Sequence, residues 1–170
     1  MEIKEYQVKL NGDRRPVLTI KHKHNIDCVY EVHDNYQKPE MITNIINQIF
    51  DVSHLAQEYV WMLCLDNAFH LKALIELSHG SMNRSLFPIR EIMQNALLSG
   101  STGIVMAHCH TSGDVEPSDI DIIITSKLQK ACQIMGIDLY DHIIIGCDEE
   151  LPYYSFLTND LLHMSKGEKE

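Results

Sequence analysis

His108 and His110, two residues apart at the end of an apolar run, and Asp121, eleven positions after the second histidine, are the residues of this chain whose types and spacing could do chemistry. On a strand, residues i and i+2 face the same side, so the two imidazoles point together. Asp121 follows a loop carrying Gly113 and Pro117 and can swing back as a third ligand. Three ligands of these types outline an open zinc site whose fourth position is left for water. Zinc lowers the pKa of that water from about 15.7 to about 7, so hydroxide is available at neutral pH. Cys109, between the histidines, should face the other way by strand alternation and belong to the core.

The chain carries its own control. His22-Lys23-His24 is a second His-x-His, but Val32 and Asn35 stand eight and eleven residues past His24 and neither suits a site. Asp121 also has a plainer reading, because Ser118-Asp119-Ile120-Asp121 follows the Ser-x-x-acid pattern of a helix capping box. The two roles are compatible, since a carboxylate held at a helix start is already oriented.

Taken together, His108, His110, Ser118 and Asp121 resemble the metal signature of the JAB/MPN (JAMM) metalloprotease family. Within it the chain looks most like the RadC branch, through His110-Thr111-Ser112-Gly113-Asp114, the run from Gly80 through Asn83 and Pro88 to Glu91, Asp141-His142-Ile143-Ile144-Ile145-Gly146 and Tyr153-Tyr154-Ser155-Phe156. The similarity covers roughly residues 39–157. The resemblance implies zinc on His108, His110 and Asp121, a water- or oxyanion-orienting role for Ser118, and a general base at Glu58. It also implies an MPN/JAB, cytidine-deaminase-like fold. Thr111 stands where the family usually has proline, and the helix-hairpin-helix region of full-length RadC proteins is not matched by the residues in front.

Composition narrows the partners. In 170 residues a formal net charge of −10 and a pI near 5.4 argue against a general phosphate-backbone binder. The five cysteines form no Cys-x-x-Cys pair, so reduced thiols and a cytoplasmic setting are expected. No apolar run approaches the roughly 18 residues that span a bilayer, which predicts no membrane partner. A homo-oligomer is compatible with this composition.

Elements that could position the site follow from periodicity. Residues 1–34 alternate polar and apolar around Asn11-Gly12, a dipeptide suited to a tight hairpin because both positions accept positive φ. Ile42, Ile45, Ile46 and Ile49 recur at helical spacing after Pro39, predicting a helix over 39–50. An apolar run over 59–65 reads as a strand buried on both faces, and Leu71, Ala73, Ile75 and Leu77 alternate as its antiparallel partner. A helix is predicted over 88–99, with Ile89, Ile92, Met93, Ala96 and Leu97 on one side and Gly100 as its cap. Residues 103–107 form a buried strand that leads into the histidines. A long helix then starts at Pro117-Ser118, with Ile120, Ile123, Ile124, Leu128, Ala131 and Met135 inward and Gly136 ending it. Strands follow over 137–145 and 153–156.

The expected fold is therefore α/β (α+β), a mixed β-sheet flanked by helices, with an arm over 1–38, the domain over 39–162 and a solvated tail over 163–170. Ser81, Asn83 and Ser85 are candidates to line a substrate groove, and Asp141-His142 to support the metal ligands. His22, His24, His33, His54 and His70 read as surface residues. The leading functional expectation is a zinc-dependent metallopeptidase or isopeptidase acting on a peptide or protein. Its alternative is a non-catalytic MPN-fold binding module in a DNA-repair, recombination or mobile-element context. A deaminase would need His-x-Glu with Pro-Cys-x-x-Cys, which the chain lacks, and nucleases usually prefer carboxylate-rich two-metal sites.

Overall fold

The chain's two long apolar strands, 58–65 and 103–110, form the middle of one seven-stranded sheet with helices on both faces. The computed structural model describes residues 1–26, 38–80 and 87–162. In chain order the elements are β1 (Glu2–Leu10), β2 (Pro16–Asn25), α1 (Pro39–Phe50), β3 (Glu58–Leu65), β4 (Leu71–Gly80), α2 (Ile89–Ser99), β5 (Gly103–His110), α3 (Asp119–Met135), β6 (Asp138–Gly146) and β7 (Tyr153–Ser155). The strand order is β2-β1-β4-β3-β5-β6-β7. β5 and β6 run parallel through the α3 crossover, β1 meets β4 in parallel at Glu5 opposite Leu74, and the other neighbours are antiparallel. This is the mixed, helix-flanked sheet expected of the MPN/JAB fold.

Alternation divides the core in two. Val60, Met62, Cys64, Ile104, Met106 and Ile144 face α2 and α3, whereas Trp61, Leu63, Leu65, Val105, Ala107, Cys109 and Ile145 face α1. α1 drives Ile42, Ile45 and Ile46 into the second layer with no residual exposure, each contributing roughly 1.5–3 kcal/mol relative to an exposed side chain. Asp51 ends α1 in the left-handed conformation at φ 52°, and Gly100 and Gly136 cap α2 and α3 in the same way. Cys109 lies on the α1 face as alternation requires, accepting from the Tyr59 amide at 3.3 Å.

β1 and β2 form a hairpin, but not with a tight Asn-Gly turn. The loop takes five residues, the positive φ falls on Arg14 (59°), and the Asn11 side chain accepts from the amides of Asp13 at 3.0 Å and Arg15 at 2.9 Å. An Asn side chain that bonds its own backbone in this way holds a wider loop closed. The sheet continues into the hairpin through buried Glu5, whose carboxylate lies 2.7 Å from Lys21 Nζ and 3.0 Å from His24 Nε2. Burial alone would raise the Glu5 pKa, yet Lys21 and His24 together hold it below the usual value. His24 is thus half-buried and paired, not a free surface residue as expected. His22, His54 and His70 are exposed.

Two helices sit differently from the sequence expectation. Leu97 of α2 is exposed, while Asn95 is buried and donates to the Glu91 carbonyl at 2.9 Å. On α3 the rotation is larger. Leu128 is buried as expected, but Ile120, Ile123 and Met135 are exposed, and the face on the sheet is Asp121, Thr125, Leu128 and Cys132. The cause is polar: the helix start is anchored by Asp121 turned inward, which rotates the isoleucines outward. Ser81, Asn83, Ser85, His33, Cys28 and the tail over 163–170 lie outside the described residues. Among the described residues no helix is long and apolar enough to cross a membrane.

Candidate metal centre

Strand β5 carries His108 and His110 on its α3 face, and β3 opposes it in the register that pairs Val60 with His108. Two residues before Val60, Glu58 stands on the same face of the sheet. On the other side β6 has an irregular register between the Ile104–Leu139 and Val105–Asp141 pairs. A bulge of this kind lets Leu139 and, three residues on, His142 share one face. The structure therefore brings four polar side chains under the first turn of α3.

His108, His110 and Asp121 converge, with one ligand atom from each lying within 4.8 Å of the others. His108 Nε2 is 3.0 Å from His110 Nε2 and 3.4 Å from Asp121 Oδ1, and His110 Nε2 is 3.6 Å from Asp121 Oδ2. All three residues are buried, Asp121 to 1% exposure. Asp121 is also the N3 residue of a capping box. Its Oδ2 accepts from the Ser118 amide at 2.9 Å and the Ser118 hydroxyl at 2.6 Å, while its own amide donates to Ser118 Oγ at 3.2 Å. The cap thus orients the carboxylate that faces the imidazoles. Thr111 does not keep Asp121 away: the Gly113 amide closes the turn onto the His110 carbonyl at 3.1 Å.

The hydrogen-bond chain behind the histidines determines which nitrogens carry protons. Thr125 Oγ donates its single proton to the Asp121 carbonyl at 2.6 Å, so it must accept from His142 Nδ1, also 2.6 Å away. Burial pushes the His142 pKa down to about 4, which keeps it neutral at pH 7. A neutral His142 has a bare Nε2, which accepts from His108 Nδ1 at 2.9 Å. Burial likewise holds His108 well below its usual pKa, so its own Nε2 is a lone pair. His110 donates Nδ1–H to the Asp114 carbonyl at 2.8 Å, which turns its Nε2 inward as well.

Two inward imidazole nitrogens beside a carboxylate form a cation site. A tetrahedral ion with bonds of about 2.0–2.1 Å sets its ligands roughly 3.3 Å apart, close to the separations of 3.0, 3.4 and 3.6 Å found here. The same field acts on the protons. Burial opposes charge on His110, yet bonds to Asp121 and the Asp114 carbonyl raise its pKa, and burial of Asp121 is outweighed by His110, His108 and Ser118, which lower its own. Burial raises the Glu58 pKa, with the Asp121 charge adding to the effect and His110 opposing it. Glu58 Oε2 is buried with no hydrogen-bond partner. The donor set fits zinc, and a buried carboxylate oxygen stands beside it uncommitted.

Of the supporting pair Asp141-His142, only His142 reaches the ligands. Asp141 accepts from the His142 amide at 2.7 Å, the Leu157 amide at 3.0 Å and the Ser155 hydroxyl at 2.6 Å, and so fastens β7 and the turn after it. Sequence reasoning missed Thr125 and Phe87. The signal for Thr125 was its i+4 spacing from Asp121, which puts both on one helix face. Phe87 packs edge-on against His108 and His142 at centroid distances of 5.4 and 5.1 Å.

Residues 36–161 match the family described as RadC-like JAB domain. Among curated relatives, a UPF0758 protein of Pelobacter propionicus is 37% identical over 120 residues, covering 68% of this chain and 51% of its own. One from Haemophilus influenzae is 35% identical over 146 residues, 81% of this chain and 65% of its own. Another, from Alkaliphilus metalliredigens, is 32% identical over 130 residues, covering 76% and 54%. The chain spans about half to two thirds of the length of these relatives, whose names state no activity.

Proposed function

Because the chain belongs to the RadC-like JAB domain family, and because His108, His110 and Asp121 converge in it, we propose that it is a zinc-dependent hydrolase of metallopeptidase type that cleaves an amide bond. The observation that carries this reading is the convergence of two inward imidazole nitrogens on a buried carboxylate. Bound zinc would supply a Lewis acid for the scissile carbonyl and an acidified water.

The protein's own groups do the rest. Glu58 takes a proton from the attacking water and returns it to the leaving amine; its buried, unpartnered Oε2 and raised pKa support that role. Ser118 supports the developing oxyanion when its hydroxyl turns away from Asp121, and loss of one such donor typically costs about 10²–10³ in rate. His142 and Thr125 keep His108 in the tautomer that presents Nε2.

Thermal unfolding with and without metal tests the proposal. Zinc at 100 times its dissociation constant stabilises the folded state by about 2.7 kcal/mol, or roughly 5–11 °C in a chain of this size, and chelator should reverse the shift. No shift and no zinc in the purified chain would remove the enzyme reading and favour a non-catalytic binding module. Thr125→Val examines the proton order. It keeps the volume of the side chain but deprives His142 Nδ1–H of its acceptor, so zinc affinity should fall about 10–100-fold in competition with a chromophoric chelator. An unchanged affinity would mean that His108 needs no such support.

A further inference from the structure

The outward turn of α3 leaves an apolar surface beside the metal centre. Ile120 and Ile123 are 49% and 54% exposed, and with Phe87, Ile89, Ile124 and Lys127 they line an open groove of about 470 Å³. Phe87 stands between the groove and the site. It packs on His108 and His142, and α3 presents Asp121 on one side and these isoleucines on the other.

We propose that this groove is the specificity subsite of the centre: it seats a large aliphatic or aromatic side chain of an extended peptide substrate, with an acidic group of the same peptide on Lys127. This rests on the metallopeptidase reading. An extended peptide advances about 3.3 Å per residue, so a side chain against Phe87 lies within about two residues of an amide held beside His108. Among the described lining residues Lys127 is the one ionisable group, a cation in a chain of net charge −10, and it matches a carboxylate. A nucleic acid would need more than one cation along its path. A second copy covering this face would form a concentration-dependent dimer, which the test below reads directly.

The test uses the zinc-loaded full chain carrying Glu58→Gln and a positional library of fluorescein-labelled octapeptides read by fluorescence polarisation. Peptides with Leu, Ile, Phe or Met at one fixed position should bind at least tenfold tighter than those with Ala. Ile123→Glu should abolish that preference at unchanged zinc content, and Lys127→Glu should reverse the preference for a nearby Asp. Equal binding of Leu and Ala peptides with zinc retained overturns the subsite alone. A concentration-dependent dimer that Ile123→Glu dissociates also overturns it, because a second copy then covers the groove. Failure of the wild-type chain to bind zinc overturns the metallopeptidase reading and the subsite with it.

Discussion

Replacement of His110 by alanine should abolish zinc binding, lowering affinity by more than the roughly 100-fold that loss of a supporting group can cost. His110 supplies one of two inward nitrogens, and its Nδ1–H is already committed to the Asp114 carbonyl. No other imidazole among the described residues replaces it: His142 uses both nitrogens on Thr125 and His108. In the variant, Asp121 also loses the neighbour that holds its pKa down, so its buried carboxylate is less well compensated. Elemental mass spectrometry of chelator-free protein gives the result, with circular dichroism to establish that the variant folds. His22→Ala, in the other His-x-His, is the matched control and should retain wild-type zinc. Equal metal in wild type and His110→Ala would show that zinc binds elsewhere.

The ligand spacing was legible because each step is local. A His-x-His on a strand needs only alternation, and Ser118 and Asp121 need only the register of a helix start. The buried runs of β3 and β5 and the face of α1 follow from periodicity for the same reason. The rotation of α3 is not local. Six apolar residues made an inward stripe through Ile120, Ile123 and Ile124 the natural expectation, but Asp121 and Thr125 make buried polar contacts that no other face of the helix can satisfy. Leaving those groups unpaired costs about 1–3 kcal/mol each, which outweighs partial burial of an isoleucine. The role of His142 was half legible. Its neighbour Asp141 is as polar and as buried, and only the irregular register of β6 decides which of the two meets His108.

Glu58→Gln is the substitution that separates holding the metal from using it. The convergent group is His108, His110 and Asp121, so zinc should remain. A carboxylate 4 Å from a doubly charged ion contributes about 2 kcal/mol under water-like screening, so the affinity should fall by no more than about 30-fold. Gln keeps the shape of the side chain and cannot accept the proton, and turnover of a peptide selected from the library should fall about 10²–10⁴-fold. The pH profile gives a second readout. Burial holds the Glu58 carboxyl above its usual range, with Asp121 adding to the effect, and a base must be unprotonated to act. Wild-type activity should therefore fall in acid as Glu58 protonates, at a pH that the charge of bound zinc draws below the metal-free position, and Glu58→Gln should lose this acid limb together with most of its rate. Loss of turnover with zinc and peptide binding intact assigns the proton transfer to Glu58. Wild-type turnover in the variant would send that role to another group, and loss of zinc would instead make Glu58 part of the metal site.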